Sequence, residues 1–161
     1  MKHITTANLA PGSLPGWLKP ANNFIMTLQR LGLRMGRMRV LSVPGRASGA
    51  MRSTPVTPFT YEGALYVASG TANGDCAKNA RAAGWGLLGS GRASQRVRLI
   101  ELSVEERIPV LRAYPRLSPT GVPFFRSLYR LPNDKAQLPD AFAALAPSVT
   151  VFRIEPDTRA G

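Results

Sequence analysis

The stretch around residue 50 limits the fold most strongly, because its pattern predicts a β-hairpin around a small polar loop. A short apolar run at residues 40–43 is followed by a glycine-bracketed turn at residues 44–49 and by a second extended run. Arg46 and Arg52 are permanently charged forks, and Ser48 and free backbone N–H groups of the turn can donate to phosphate oxygens. The stretch therefore predicts either a loop that binds a phosphorylated or polyanionic cofactor, or an ordinary tight turn with exposed arginines.

Further segments place this hairpin in a mainly β, α+β domain. Pro55 and Pro58 remove ladder donors, so the second strand is predicted at a sheet edge or beside a bulge. Further strands are predicted at residues 64–69, 85–88, 95–101 and 149–154. Helices are predicted at residues 76–83, with Gly84 as the end, from Ser103 to a stop at Pro115, at residues 118–131 and at residues 139–145. The pattern at residues 84–89 matches G-x-G-x-x-G, but a helix precedes it and a strand follows, so we reject a dinucleotide fingerprint.

Four short motifs follow one another along the chain: Gly-Arg-Ala-Ser-Gly at residues 45–49, Arg-x-Thr-Pro at 52–55, Val-Ala-Ser-Gly at 67–70, and Lys-Asn-Ala-Arg-Ala-Ala-Gly at 78–84. With later matches at residues 101–114 and 151–154, this ordered set resembles the deazaflavin-dependent nitroreductase family. These proteins are coenzyme F-420-dependent oxidoreductases with a split β-barrel. The resemblance implies a six-stranded split barrel (FMN-binding split-barrel-like) with peripheral helices at residues 39–161, preceded by an arm and helix at residues 1–38.

The resemblance also implies a cofactor site. Three residues would hold the phosphate and oligoglutamate tail: Arg46, Ser48 and Arg52. Their neighbours Ala47, Gly49 and Ser53 belong to the same cofactor-binding set. The ring would lie in a cradle that begins at Thr54 and Pro55 and is faced by Val67, Ala68, Ser69 and Gly70. Lys78 and Asn79 would close the site.

The acceptor would be a quinone, a nitroaromatic compound or an activated alkene. The resemblance implies that Tyr114, the catalytic candidate, hydrogen-bonds the acceptor oxygen as negative charge develops, and that Tyr114 and Tyr129 line the substrate pocket.

The histidine and cysteine content points to cofactor chemistry as well. The chain has one His and one Cys, too few for a His- or Cys-based metal site, a Ser-His-Asp triad or an internal disulfide, so no metal is expected. Chemistry must then come from a cofactor that carries a hydride, coenzyme F-420 (an 8-hydroxy-5-deazaflavin) or, as the alternative, FMN on the same barrel. Cys76 is interpreted as a packing residue.

The charge balance leaves other partners open. With 21 Lys and Arg against 9 Asp and Glu, the net charge is +12, which attracts anions of any kind. A nucleic-acid-binding barrel would show aromatic side chains among its basic strands, and Arg96 and Arg98 have none beside them in sequence, so no nucleic acid is expected. The predicted basic amphipathic helix at residues 20–38 packs either on the barrel or on an anionic membrane surface. We expect a monomer or homodimer in the cytoplasm, free or peripheral at the inner membrane face.

Overall fold

The computed structural model describes residues 37–90 and 93–158 of the 161-residue chain. The predicted N-terminal arm, and the predicted basic helix up to residue 36, lie outside the described residues. The Gly91–Arg92 part of the predicted turn between the fifth and sixth strands lies outside them as well.

The described part is organised around one antiparallel sheet. Its strands are Arg39–Pro44 (β1), Met51–Val56 (β2), Phe59–Tyr61 (β3), Ala64–Ser69 (β4), Trp85–Ser90 (β5), Ala93–Glu101 (β6) and Thr150–Pro156 (β7). The order across the sheet is β2-β1-β5-β6-β7-β4-β3, and every neighbouring pair is antiparallel. The prediction that the proline-bearing β2 lies at a sheet edge is confirmed.

The sheet has one strand more than the six predicted from the sequence. The extended run that begins at Met51 breaks after Val56, and Phe59–Tyr61 forms a separate strand at the opposite edge of the sheet. Pro58 stands in the break, and because proline has no N–H to donate to a neighbouring strand, the run cannot pair continuously across it.

Four helices connect the strands: Asp75–Ala83 (α1), Val104–Leu117 (α2), Val122–Leu128 (α3) and Leu138–Ala143 (α4). Two predicted helix ends are confirmed: Ser103 accepts a hydrogen bond from the Glu106 N–H at 3.2 Å, and Gly84 ends α1 with a left-handed φ of 70°. The prediction that Pro115 ends α2 is wrong. Proline removes only its own N–H, and the Ser118 N–H still closes the last turn on the Tyr114 carbonyl at 2.8 Å.

The two faces of the sheet carry two apolar cores. The first lies under α1 and contains the buried side chains Leu41, Val43, Val67, Ala77, Ala80, Val97, Leu99, Phe152 and Ile154. The second, larger and aromatic, packs α2, α3 and α4 against β3, β4 and β7. Residues 85–89 of the G-x-G-x-x-G match lie in β5 itself, directly after α1, so the match does not join a strand to a helix as a dinucleotide fingerprint requires.

Candidate cofactor site

The predicted hairpin is present and forms one wall of the candidate site. Strands β1 and β2 pair from Arg39 opposite Val56 to Pro44 opposite Met51. The turn between them is closed by two backbone hydrogen bonds of 2.8 Å, from the Gly45 N–H to Ala50 and from the Gly49 N–H to Gly45. Gly49 has a φ of 74°, a left-handed conformation that favours glycine at this position.

Arg46 links the hairpin to helix α1. Its backbone N–H and its Nη1 both donate to the Asn79 Oδ1, at 3.2 and 2.8 Å, and its Nη2 donates to the Asp75 Oδ1 at 3.0 Å. Asn79 is buried, whereas the Asp75 side chain is 87% exposed. The structure thus brings together Arg46 and Asn79, two residues predicted for one site from segments 33 positions apart.

Two other predicted cations of this region have no partner among the described residues. Within residues 37–90 and 93–158, neither Arg52 nor Lys78 makes an ion pair or a side-chain hydrogen bond. The Arg52 stem lies against the turn, because a Cβ placed on Gly45 would be 3.7 Å from the Arg52 Cγ. Arg52 stands on the hairpin and Lys78 on α1, so the two elements that the Arg46–Asn79 contact joins each carry one exposed cation that pairs with no described residue.

The turn also offers backbone donors. In the described part of the chain, the N–H groups of Ala47 and Ser48 have no acceptor, while the Ser48 Oγ accepts from the Ala50 N–H at 3.3 Å. An N–H group without a protein acceptor can donate to an anion bound at the turn. Ala47, Ser48 and Gly49 are all exposed, so a ligand can reach them.

The strand register divides the remaining hairpin residues between two faces. Arg52 pairs with Val43 and Thr54 with Leu41, which places both on the face that α1 covers. Ser53 lies on the opposite face, where its Oγ is 2.7 Å from the Ser42 Oγ, and Pro55 shares that face. The structure therefore does not bring Ser53 and Pro55 together with Arg52 and Thr54.

Cys76 was not among the predicted site residues, yet it adjoins Thr54. Burial raises the pKa of the Cys76 thiol, and a hydrogen bond with the Thr54 side chain opposes this rise in part. The thiol is therefore held in its protonated form near neutral pH, which agrees with its interpretation as a packing residue.

The residues predicted to face a cofactor ring are largely covered by protein. Val67 is buried in the core under α1, and Ala68 packs against the aromatic core on the other face. A Cβ placed on Gly70 would lie 2.8 Å from both Leu128 and Phe124, so two side chains of α3 fill the space beside it. Ser69 is half-buried and donates to the Thr71 carbonyl at 3.1 Å. These contacts give no support to a ring cradle at residues 67–70.

Tyr114 lies in the aromatic core and not at an open surface. It is 5% exposed, with ring centroids at 5.1 Å from Phe59 and 5.2 Å from both Phe125 and Phe142. Burial raises the pKa of its hydroxyl. In this position the hydroxyl does not reach a surface where an acceptor could bind.

Tyr129 likewise serves packing. It is 3% exposed, and its hydroxyl donates to the Gly70 carbonyl at 2.7 Å, which ties the end of α3 to the loop after β4. Burial raises the pKa of this hydroxyl too. The two tyrosines predicted to line a substrate pocket are thus both buried.

Several other cations are compensated within the fold. Arg81 pairs with Glu101 at 2.7 Å, Arg96 with Asp157 at 2.8 Å, and the buried Arg107 donates to two backbone carbonyls at 3.0 Å. Arg96 also lies over the Trp85 ring, 3.8 Å from its centroid. Arg96 thus has an aromatic neighbour that its sequence surroundings do not show, because Trp85 comes from the adjacent strand.

One residue of the site escaped the sequence argument. Asp75 is the acidic partner of Arg46, and it stands in the first turn of α1, where an acidic residue is favoured by the helix dipole. Nothing local marked it as a neighbour of the hairpin, because the pairing spans 29 positions.

The described residues contain neither a membrane-spanning helix nor a metal-binding group of side chains. No helix there is long and apolar enough to cross a membrane. No group of three or more His, Cys, Asp or Glu side chains in residues 37–90 and 93–158 is arranged to hold a metal ion.

Comparison with known proteins shows similarity in fold only. No family model matches the chain, and no curated protein matches it. A pyridoxamine 5'-phosphate oxidase-related, FMN-binding protein from Nostoc punctiforme is 15% identical, with a TM-score of 0.50 over 90% of this chain and 83% of that one. PhzG from Burkholderia lata is 17% identical, with a TM-score of 0.46 over 97% and 83% of the two chains. A NimC/NimA family protein from Clostridium acetobutylicum is also 17% identical, with a TM-score of 0.46 over 85% and 81%.

The similarity to the Nostoc punctiforme protein establishes the fold class. The chain has the FMN-binding split-barrel fold, as predicted, with seven strands and four helices in the described part. Membership of the deazaflavin-dependent nitroreductase family is not shown.

Proposed function

We propose that the protein is an FMN-binding oxidoreductase that holds the flavin phosphate between the β1–β2 turn and helix α1. The observation that carries this proposal is that Arg52 on the hairpin and Lys78 on α1, the two elements that the Arg46–Asn79 contact joins, pair with no other described residue. An FMN-binding protein among the solved structures with this fold supports the choice of cofactor.

The residues present fit a phosphate. Arg52 and Lys78 provide charge, the Ala47 and Ser48 N–H groups provide backbone donors, and the Arg46 guanidinium is held in place by Asn79. Hydrogen bonds to charged groups each contribute roughly 1.5–3 kcal/mol, less where water competes. Several such bonds together suffice for a specific phosphate site.

The protein's own contribution is binding and orientation. When bound, a flavin accepts and donates a hydride, so the protein needs no acid–base residue for the redox step itself. This suits a site where titratable catalytic groups are scarce: the one histidine of the sequence is His3, outside the described residues, and Tyr114 is buried. We assign Tyr114 and Tyr129 to packing.

Because residues 67–70 are largely covered, we do not assign them to the ring. A quinone, a nitroaromatic compound or an activated alkene remains the proposed acceptor class. Each of these accepts a hydride when it is held against the ring with water excluded.

Coenzyme F-420 is a second candidate, favoured by one specific observation. Arg46 and Asn79, which come from two motifs that resemble the deazaflavin-dependent nitroreductases, are in direct contact. The exposed cations of the turn would also suit an oligoglutamate tail. Competition between FMN and coenzyme F-420 for the purified protein separates the two candidates. At equal concentrations, the cofactor with the higher affinity occupies most of the sites.

The test of the phosphate site is a fluorescence titration with FMN. An Arg52→Gln, Lys78→Gln double variant should bind FMN at least about tenfold more weakly, which is the loss of roughly 1.4 kcal/mol expected from two exposed contacts. The control is an Arg116→Gln, Arg130→Gln double variant, which removes the same charge from an exposed residue of α2 and an exposed residue that follows α3. It should bind FMN like the wild type. Riboflavin, which lacks the phosphate, should bind weakly to all three proteins.

Two results would contradict the proposal. One is an equal loss of FMN affinity in both double variants, which would mean that net charge and not the site attracts the flavin. The other is riboflavin binding as tight as FMN binding, which would mean that no phosphate is recognised.

A further inference from the structure

A cavity lies at the end of strand β1 away from the turn. Its volume is about 450 Å³, and its lining includes Arg37, Arg39, Phe59, Leu65 and Leu88. Volumes of about 300–1,000 Å³ are typical of small-molecule sites. None of the residues proposed to hold the flavin phosphate lines this cavity.

The cavity is separated from the cofactor site by packed core. Arg39 is the first residue of β1 and Pro44 the last, so the two ends of the strand are about 17 Å apart at 3.3–3.4 Å per residue. Leu41 and Val43 fill the interval, and they are 4% and 2% exposed. A molecule in the cavity would therefore be distinct from a phosphate bound at the turn.

The lining combines one sign of charge with apolar walls. Apart from Arg37, Arg39 and Thr60, the side chains that line it are apolar, and none of the described lining residues is acidic. Arg37 is exposed and makes no ion pair with any described residue, while Arg39 donates to the Met38 carbonyl at 2.9 Å. A guanidinium fork matches a carboxylate in geometry as well as in charge.

We propose that this cavity binds a small carboxylate with an apolar body, such as an aromatic acid, whose carboxylate meets Arg37 at the mouth and whose ring lies against Leu65 and Leu88. This inference does not depend on the identity of the cofactor, because the cavity and the turn share no residue.

The test uses the full chain and 2-naphthoate as the probe, with binding followed by calorimetry. Arg37→Gln should weaken naphthoate binding about five- to tenfold, since one exposed charge-assisted contact is lost. Thr60→Trp, which adds an indole at an exposed lining position, should weaken it by more than tenfold. Arg130→Gln, an equal charge change at an exposed residue that neither lines the cavity nor adjoins a lining residue in sequence, should leave it unchanged. The uncharged 2-naphthalenemethanol should bind at least tenfold more weakly to the wild type.

The outcomes are decisive in both directions. Absence of naphthoate binding at millimolar concentration, equal binding of the alcohol, or binding unaffected by Thr60→Trp would overturn the proposal. A parallel FMN titration of Arg37→Gln and Thr60→Trp keeps the two sites apart. Unchanged FMN affinity supports a separate site, and lost FMN affinity would show that the cavity belongs to the cofactor. A protein that binds naphthoate but not FMN would refute only the proposed function.

Discussion

Replacement of Asp75 by Asn should strengthen FMN binding, because Asp75 competes with the phosphate for Arg46. The Arg46 Nη2 lies 3.0 Å from the Asp75 Oδ1, and the two side chains are 41% and 87% exposed. An ion pair this exposed contributes about 0–1 kcal/mol. Asp75→Asn removes that competing interaction and one negative charge from the site, so the affinity for FMN should rise by about 0.5–1 kcal/mol, or about two- to fivefold.

The assay is an FMN fluorescence titration at two ionic strengths. The gain should be larger at 0.02 M salt than at 0.3 M, because salt screens the interaction between an exposed carboxylate and a bound phosphate. The free energy of unfolding is measured separately, since Asp75 also stands in the first turn of α1, where an acidic side chain stabilises the helix by about 0.3–1 kcal/mol. Binding and stability should therefore change in opposite directions.

Asp140→Asn is the matched control. Asp140 is 88% exposed and pairs with Arg112 at 3.4 Å, so its replacement changes the net charge equally and breaks a similar pair far along the chain from the turn. FMN affinity that is unchanged or weaker in Asp75→Asn would refute the competition argument. An equal gain in Asp140→Asn would assign the effect to net charge.

Three further predictions concern stability, measured by urea unfolding. Arg107→Met should lower the free energy of unfolding by about 3–5 kcal/mol, because Arg107 is 6% exposed and its guanidinium donates to buried backbone carbonyls. Arg112→Met, at an exposed residue, should lower it by less than about 1 kcal/mol, and equal losses in the two variants would contradict the prediction. Gly70→Ala should cost about 1–3 kcal/mol, because its Cβ would lie 2.8 Å from the Leu128 Cδ1, and a neutral result would mean that α3 can move away. Burial raises the pKa of the Cys76 thiol, so the contribution of this thiol to the free energy of unfolding is complete below the ordinary thiol pKa of about 8.5 and is lost as the pH rises above that value. Between pH 7.5 and pH 9.5 the wild type should therefore lose more stability than Cys76→Ala. Equal losses would refute the assignment of Cys76 as a buried, protonated thiol.

Features set by neighbouring residues were predictable from the sequence. The Ser103 cap and the Gly84 helix end depend on one turn of chain, and both are present. Features set by distant packing were not. Tyr114 matched a family position, but its burial depends on Phe125 and Phe142 from other helices, and no local pattern shows that three aromatic side chains will meet. The Pro115 error has the same origin, because a helix that packs along its length tolerates the loss of one hydrogen bond.

The hairpin shows where a contiguous motif misleads. Residues 52–55 were assigned to the cofactor as a block, but side chains of a strand alternate between faces, so such a block cannot act on one ligand from one side. The strand register shows the division: Arg52 and Thr54 lie on the face of the sheet that α1 covers, and Ser53 contacts Ser42 on the opposite face. Alternation of side chains along β2 therefore excludes Ser53 and Pro55 from the phosphate site and keeps Arg52 in it. Because Arg52 lies on that face and pairs with no other described residue, a single Arg52→Gln change should weaken FMN binding more than Ser53→Ala.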